Sequence, residues 1–279
     1  MTSVARGESL AVSADAAVAL PPGPPAWRWI SSRIATFCLA EIQKIRHDRT
    51  ELVTRAIQPA LWLLIFGETF DRLHAIPTGN IDYLDFLTPG ILAQSGMFVA
   101  VFYGIQVIWE RDAGVLAKLL VTPTPRAALV TGKAFAASIR AFTQVIVILV
   151  LARILGVNFT ANPLRLVAAA LAVVLGSAFF ATLSLSIAGL AMTRERLMGI
   201  GQAITMPLFF GSNALYPVEL MPAWLRAFSV INPLSYEVNA LRRLLLGTSG
   251  NLIVDFSVLL FALALGVVVA AAILPRLVR

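Results

Sequence analysis

One short stretch brings together charged residues, aliphatic residues, a glycine and two prolines, and such a combination could bind a partner molecule: residues 110–126 read ERDAGVLAKLLVTPTPR. Long apolar runs flank it on both sides. Apolar residues at i,i+4 spacing give a short helix one apolar edge: Val115 with Leu119, and Leu116 with Leu120. Pro123 pushes the preceding residue out of helical geometry and ends the helix. The pattern predicts a helix over 110–122 that docks in a groove on a partner, with Leu119 and Leu120 as its main contacts.

The charges of this segment agree with a helix. Glu110 and Asp112 lie near its predicted N-terminal end and Lys118 lies in its later part, as the helix dipole favours. The residues predicted to bind the partner are Glu110, Arg111, Asp112, Gly114, Val115, Leu116, Lys118, Leu119, Leu120, Thr122 and Pro123.

Motifs for enzymatic chemistry are absent from the sequence. Gly132-Lys133 continues into Ala134 without a glycine-rich phosphate loop. No zinc-protease helix motif, paired-carboxylate motif or serine elbow appears. The single cysteine, Cys38, excludes an internal disulfide and a cysteine-cluster metal site. The chain is therefore expected not to be an enzyme, with no catalytic, cofactor-binding or metal-binding residue of its own.

Composition indicates an integral membrane protein. Of the 279 residues, 58% are hydrophobic and only 13% are charged, whereas soluble domains carry about 25% charged residues. Residues 1–25 are interrupted by charge and end in PPGPP, which favours a disordered cytoplasmic tail over a signal peptide. Residues 26–279 are expected to form a single transmembrane domain.

The apolar segments predict an all-α fold with six transmembrane helices, because about 20 mostly apolar residues cross a bilayer. The predicted spans are Leu52–Phe70, Leu87–Ile108, Phe135–Ile154, Leu164–Met192, Leu197–Tyr216 and Leu252–Leu274.

The distribution of charge predicts the orientation. Six spans place both termini on one side, and most Lys and Arg residues then share that side, whereas the loop Gly67–Leu87 is acidic. The positive-inside rule makes the basic side cytoplasmic. The net charge of +7 is thus interpreted as a topology signal, and no nucleic-acid partner is expected.

Two further helical segments are predicted outside the spans. Residues 28–49 place apolar side chains at helical spacing, which indicates an amphipathic helix on the cytoplasmic membrane surface. Residues 217–247 are too polar to cross and too apolar for a plain loop, and prolines divide them. They predict a re-entrant external hairpin of two short helices; a simple extracellular loop is the alternative.

Charged residues give no sign of an internal energy source. Acidic side chains are absent from the middles of the predicted spans, where ion-coupled transporters place them. The one candidate charge, Arg140, is expected to snorkel to the cytoplasmic interface. The energy for any transport is therefore expected to come from another subunit.

Three segments in this order resemble the membrane subunits of type-2 ABC exporters, particularly the daunorubicin-resistance and nodulation-exporter branch. They are WERDAGVLAKLLVTPTPRAALVTGK, PLFFGSNALYPVELMP and INPLSYEVNALRRLLLG, and the resemblance covers roughly residues 30–279. One departure is that Asn213 and Ala214 stand where many members of the family have a Ser-Gly-x-x-[Phe/Tyr]-Pro run.

The resemblance implies the permease subunit of an ATP-driven exporter in a bacterial inner membrane. In the family the first segment forms a coupling helix that docks on a separate ATPase, and its pattern is matched by Glu110, Arg111, Gly114, Leu119, Leu120, Thr122 and Pro123. The implied assembly has two ATPase copies, which bind ATP and magnesium, and a second copy of the permease or a paralogue. The implied substrate is a hydrophobic drug, a lipid, or a lipid-linked or other glycoconjugate.

Polar and aromatic residues within the spans either line a substrate path or hydrogen-bond between helices: Gln94, Tyr103, Gln106, Thr143 and Gln144. Two alternative functions are an ion-coupled secondary transporter and a membrane scaffold without transport.

Overall fold

The structure is a computed structural model that describes residues 26–47, 49–73, 76–79, 81–121 and 124–277. The predicted tail, residues 1–25, lies outside this part of the chain. Within the described ranges every regular element is a helix, which agrees with the predicted all-α fold.

The α-helices of the described residues follow one another along the chain as α1 (Ala26–His47), α2 (Arg49–Leu61), α3 (Glu68–Leu73), α4 (Tyr83–Asp112), α5 (Val115–Val121), α6 (Arg126–Ile154), α7 (Pro163–Ala191), α8 (Arg194–Phe210), α9 (Ala223–Ile231), α10 (Pro233–Leu246) and α11 (Leu252–Ile273). A π-helical segment, Trp62–Gly67, joins α2 to α3. Short 3-10 turns occupy Val218–Leu220 and Leu274–Leu277.

Four helices of the described chain are long and apolar enough to cross a membrane: α4, α6, α7 and α11 with its 3-10 extension. They correspond to four of the predicted spans. α4 and α6 are longer than the apolar runs that predicted them, because helical hydrogen bonding continues until the chain meets a helix-ending residue. Gly114 adopts a positive φ just after α4, and Pro125 stands directly before α6.

The other two predicted spans differ from a plain apolar helix. The helical run from α2 to α3 covers Leu52–Phe70 but changes to π geometry shortly after Pro59, which has no N–H to donate to the ladder. The predicted span Leu197–Tyr216 is shorter in the structure, since α8 ends at Phe210 and turns follow. The six-span topology therefore stays a prediction.

The centre of the molecule is the packing of α4, α6 and α7 against one another. Small residues line α7, and they let neighbouring backbones approach closely, as in other membrane helices. The Ser184 hydroxyl of α7 accepts a hydrogen bond from the Gly104 backbone N–H at 3.1 Å and donates to the Val101 carbonyl. The Ser184 hydroxyl is thus satisfied by the α4 backbone inside the bundle.

Helix α1 is bound to this centre along α6. Glu41 of α1 is buried and forms an ion pair with Arg140 of α6, and Lys44 lies 3.6 Å from the same carboxylate. The prediction that Arg140 snorkels to the cytoplasmic interface did not include this carboxylate partner. The Glu41 carboxylate on α1 neutralises the charge of Arg140 inside the protein. The pair is stable only while both partners are present, because removing one leaves the other as an unpaired buried charge.

The segment 217–247 forms two short helices, α9 and α10. Asn232 joins them: its side chain accepts a hydrogen bond from the Leu234 N–H at 3.0 Å and donates to the Leu208 carbonyl at 2.7 Å. The apolar stripe of α10 is fully buried against α7, α11 and α4: Leu234, Val238, Leu241 and Leu245. α10 is therefore a packed helix, which an open loop would not be.

Candidate functional site

The predicted docking segment is divided by a turn. Glu110, Arg111 and Asp112 belong to the last turn of α4, and Ala113 and Gly114 then reverse the chain into α5. Gly114 has φ +69°, a left-handed conformation that other residues adopt only with strain. The prediction of one continuous helix over 110–122 was therefore wrong, because the glycine ends the first helix in the middle of the segment.

The apolar residues of α5 face in two directions. Leu116 is only 1% exposed, and Leu119 and Leu120 are partly buried against the chain's own core. The apolar side chains left open are Val115, 44% exposed, and Val121, 87% exposed. The surface available to a partner is thus centred on the two valines, and the leucines mainly attach α5 to its own chain.

The charged residues before α5 bind neighbouring helices. Glu110 forms an ion pair with Lys133 of α6, whose side chain is almost fully buried. Arg111 donates to the Met192 carbonyl at 2.7 Å and contacts Asp112. These contacts hold the end of α4 against the beginning of α6 and the end of α7.

A second connection reaches α8. Arg194, at the start of α8, lies 3.0 Å from the Asp112 carboxylate and stacks over the exposed Trp109 ring at 4.3 Å. Lys118 of α5 is exposed, and Thr122 and Pro123 lie outside the described residues. The four helix ends and α5 thus form one surface, which we call the α5 surface: Trp109, Val115, Lys118, Val121 and Arg194.

The residues predicted to line a substrate path are only partly brought together. Gln94 and Gln144 line one cavity of about 130 Å³ between α2, α4 and α6. Tyr103 is buried elsewhere, Gln106 contacts Glu110 at 3.5 Å, and Thr143 donates to the Arg140 carbonyl at 2.7 Å. Gln106 and Thr143 thus contact their own helices, which is neither a path-lining role nor the hydrogen bonding between helices that was the alternative.

Sequence reasoning missed a buried carboxyl group. Glu237 of α10 is 0% exposed, and neither carboxyl oxygen has a hydrogen-bond partner in the described chain. Its carboxyl group lies against Gly176 of α7, where a side chain would collide with it. An ionised carboxylate costs several kcal/mol when buried without a partner. Its position, three residues after Leu234 on the buried stripe, was the signal that could have found it.

Arg242 was also missed. Its guanidinium group lies over the Phe86 ring at 3.8 Å and donates to the carbonyl oxygens of Phe86 at 3.3 Å and Asn213 at 3.0 Å. Asn213 in turn donates to the Asn239 side chain at 2.6 Å. Asn213, one of the two residues that depart from the pattern of the resembled family, therefore sits in a polar cluster between α10 and the start of α4.

Groups of acidic, histidine or cysteine side chains that would hold a metal ion do not occur among the described residues. What this geometry can do is bind a partner at the α5 surface and enclose a small molecule or group in the cavity.

Comparison with known protein families decides the class of the chain. The family model described as ABC-2 type transporter matches residues 33–246. The chain belongs to the ABC-2 type transporter family. Permeases of this family are transmembrane subunits that pair with a separate ABC ATPase. The match includes α4, α5 and the charged contacts that join the end of α4 to α6 and α8.

Individual relatives of this ABC-2 chain agree. It is 31% identical over 194 residues to the putative transport permease ycf38 of Cyanophora paradoxa, covering 68% of this chain and 66% of the relative. It is 26% identical to the daunorubicin resistance ABC transporter permease protein DrrB1 of Streptomyces coeruleorubidus, covering 81% and 79%. It is 25% identical to nodulation protein J of Rhizobium leguminosarum bv. trifolii, covering 85% and 87%.

Proposed function

We propose that the chain is the permease of an ATP-driven exporter, in which two permeases, this one with a second copy or a paralogue, associate with two copies of an ABC ATPase. ATP and magnesium are bound by the ATPase. ATP binding closes the ATPase pair, and the movement is transmitted through α5 to the helices that enclose the substrate.

The observation that carries this proposal is the arrangement of the α5 surface. Val115 and Val121 leave apolar area open for a groove on a partner. Glu110 and Asp112, next to them, bind Lys133 of α6 and Arg194 of α8. A push on α5 is thus resisted by contacts to α6 and α8 rather than absorbed in a loop.

The orientation rests on where charges gather in three dimensions. The α5 surface joins the ends of four helices, and basic residues from separate parts of the chain meet there: Arg111, Lys118, Lys133 and Arg194. Asp71 and Asp85 lie at the opposite end, where they accept hydrogen bonds from the Tyr83 and Asn158 N–H groups. By the positive-inside rule, the α5 end of the molecule faces the cytoplasm. The proposed topology in the bacterial membrane has six spans, with both termini on the cytoplasmic side.

The substrate is proposed from the relatives and from the cavity. The names of two relatives refer to daunorubicin resistance and to nodulation. The cavity is lined by apolar side chains and neutral polar groups. A hydrophobic drug, a lipid, or a lipid-linked or other glycoconjugate fits these observations.

An ion-coupled transporter is the second candidate, and one observation favours it. Glu237 is an acidic group buried against Gly176, in the middle of a helix long enough to cross a membrane. Acidic groups inside membrane helices are of the kind that carries a coupling proton. In proteoliposomes that contain the permease and its ATPase, the exporter proposal expects transport with ATP and none with a proton gradient alone. Transport driven by the gradient without ATP would establish the second candidate instead.

The direct test of the exporter proposal is association. The tagged permease is purified from its own host, and the co-purifying ABC ATPase is identified by mass spectrometry. We expect equal amounts of the two chains and ATP hydrolysis by the complex. A permease that purifies without an ABC ATPase under several mild detergents would contradict the proposal.

A further inference from the structure

The cavity between α2, α4 and α6 has a lining without charge. The cavity lies at the level of Phe98, which lines it and stands near the middle of α4. Polar groups on the lining are amides and hydroxyls: Thr54, Gln58, Gln94, Ser95 and Gln144. A charged ligand would lose its hydration here without gaining a partner of opposite charge. The lining therefore selects for an uncharged group.

Gln144 supplies a hydrogen-bond donor that the protein does not use. Its side chain is 1% exposed, and Nε2 has no partner in the described chain. Buried donors are nearly always satisfied, since leaving one unpaired loses its bond to water. An acceptor oxygen on a bound molecule would satisfy it.

The size and shape of the cavity limit what can enter. A cavity of about 150 Å³ can hold one benzene molecule, and this one has about 130 Å³. Phe98 and Phe102 form a flat wall, with ring centroids 6.3 Å apart and planes inclined by 18°. Such a wall stacks against a planar ring.

The α2 wall provides a way in. Gln58 is exposed while Pro59, also on the lining, is buried, so the cavity opens along this helix. The π-helical segment Trp62–Gly67 follows soon after, and π segments inside helices are frequent at functional sites. The α2 wall therefore lies directly before the irregular part of this helical run.

We propose that this cavity binds one uncharged ring of an amphipathic molecule, and that the Gln144 amide donates a hydrogen bond to a carbonyl or hydroxyl oxygen on that ring. This inference rests on the proposed export function, since the bound ring belongs to the transported substrate. The tail of the molecule extends past Gln58 toward the lipid.

Three matched probes test the inference: para-octylacetophenone with an acceptor oxygen, para-octyltoluene without one, and a cationic analogue, para-octylbenzyl-trimethylammonium. The permease–ATPase complex carries Ser95→Cys in a Cys38→Ser background, and the rate of labelling by methyl methanethiosulfonate is measured. Ser95 lines the cavity, and a thiol replaces its hydroxyl with little change of shape. Ser249→Cys, on an exposed turn, reports any effect of the probes on the reagent or the membrane.

We expect para-octylacetophenone to slow labelling at Ser95→Cys and not at Ser249→Cys. Para-octyltoluene should need about tenfold higher concentration, because it lacks one hydrogen bond, and the cation should give no protection. Gln144→Leu should remove the advantage of the ketone. Thr143→Val, next to it but off the lining, should keep that advantage.

Equal protection by all three probes, no labelling of Ser95→Cys at all, or an unchanged ketone preference in Gln144→Leu would each overturn the inference. Co-purified ATPase is measured on the same samples and shows that each variant is folded. If para-octylacetophenone does not protect Ser95→Cys in a permease that retains its ATPase, the ring site alone is contradicted. If the ketone protects Ser95→Cys in a permease with which no ATPase co-purifies, the exporter function is contradicted instead.

Discussion

Lys133 of α6 is buried against Glu110 at the end of α4, and the two side chains form an ion pair. The ring of Phe37 on α1 lies 5.3 Å from the same ammonium group. Lys133 thus joins α1 and α6 to Glu110 at the end of α4, shortly before α5 begins. This contact ties the proposed partner surface to the body of the permease.

Removing the carboxylate of this pair should destabilise the protein. Glu110→Ala leaves the Lys133 ammonium buried without a partner, which costs about 3–5 kcal/mol for a buried pair. Lys133→Met should cost less, because Glu110 keeps some contact with solvent. Thermal unfolding of the purified permease measures both. Glu195→Ala, on an exposed side chain, is the control and should stay within about 0.5 kcal/mol; an equal loss in Glu110→Ala and Glu195→Ala would contradict the role of the pair.

Partner binding should depend on the exposed valines. Val115→Asp with Val121→Asp should lower affinity for the ATPase about tenfold or more, since partial burial of two valines is worth at least about 1.4 kcal/mol. Leu119→Asp with Leu120→Asp should also lower it, with an added loss of stability because these leucines pack on the core. Co-purification with the ATPase is compared with the total permease in the membrane. Ser249→Asp, away from α5, is the control, and full ATPase retention by the valine variant would mean that α5 is not the docking surface.

The buried carboxyl of α10 should tolerate a neutral replacement. Glu237→Gln keeps its shape and should change stability by less than about 1.5 kcal/mol, as volume-conserving changes do, whereas Glu237→Lys should prevent folding. Gly176→Ala should cost about 1–3 kcal/mol, because the new methyl group meets the Glu237 carboxyl. Gly199→Ala, where a methyl group meets nothing within 4 Å, is the control and should not destabilise. Thermal unfolding measures the stability of each variant. If Gly199→Ala were less stable than Gly176→Ala, this packing would be contradicted.

The reactivity of Cys38 should be low at neutral pH. Burial raises the pKa of its thiol, and the neighbouring Glu41 carboxylate raises the pKa further. Since the thiolate is the reactive form, maleimide labelling of Cys38 should be slow at neutral pH and should increase as the pH rises toward that pKa. Ser249→Cys in a Cys38→Ser background should react faster at the same pH. Equal rates at neutral pH would show that Cys38 lies in an exposed environment.

Labelling from each side of the membrane tests the orientation. In a Cys38→Ser background, Thr78→Cys and Ser249→Cys should react with an impermeant reagent added outside, and Thr193→Cys only after permeabilisation. Thr193 precedes α8 next to the basic α5 surface, which the positive-inside rule places in the cytoplasm. Strong external labelling at Thr193→Cys would contradict the six-span topology.

Local features of the chain could be predicted from the sequence. The long apolar runs of α4, α6, α7 and α11 satisfy their own backbone hydrogen bonds, so their existence follows from composition alone. The start of α10 follows from Asn232 and Pro233, a cap and a first-turn proline. Its buried stripe follows from the spacing of four aliphatic residues.

Contacts between distant residues were decided only by the tertiary structure. Glu41 and Arg140 are 99 positions apart and Glu110 and Lys133 are 23 apart, so no periodic pattern relates them. Likewise, the division between the open valines and the attached leucines of α5 depends on which neighbours pack against it. A helical pattern defines one apolar edge but not whether that edge meets the same chain or a partner. That choice is made by the shape of the surrounding helices, and so is the cavity that three of them enclose.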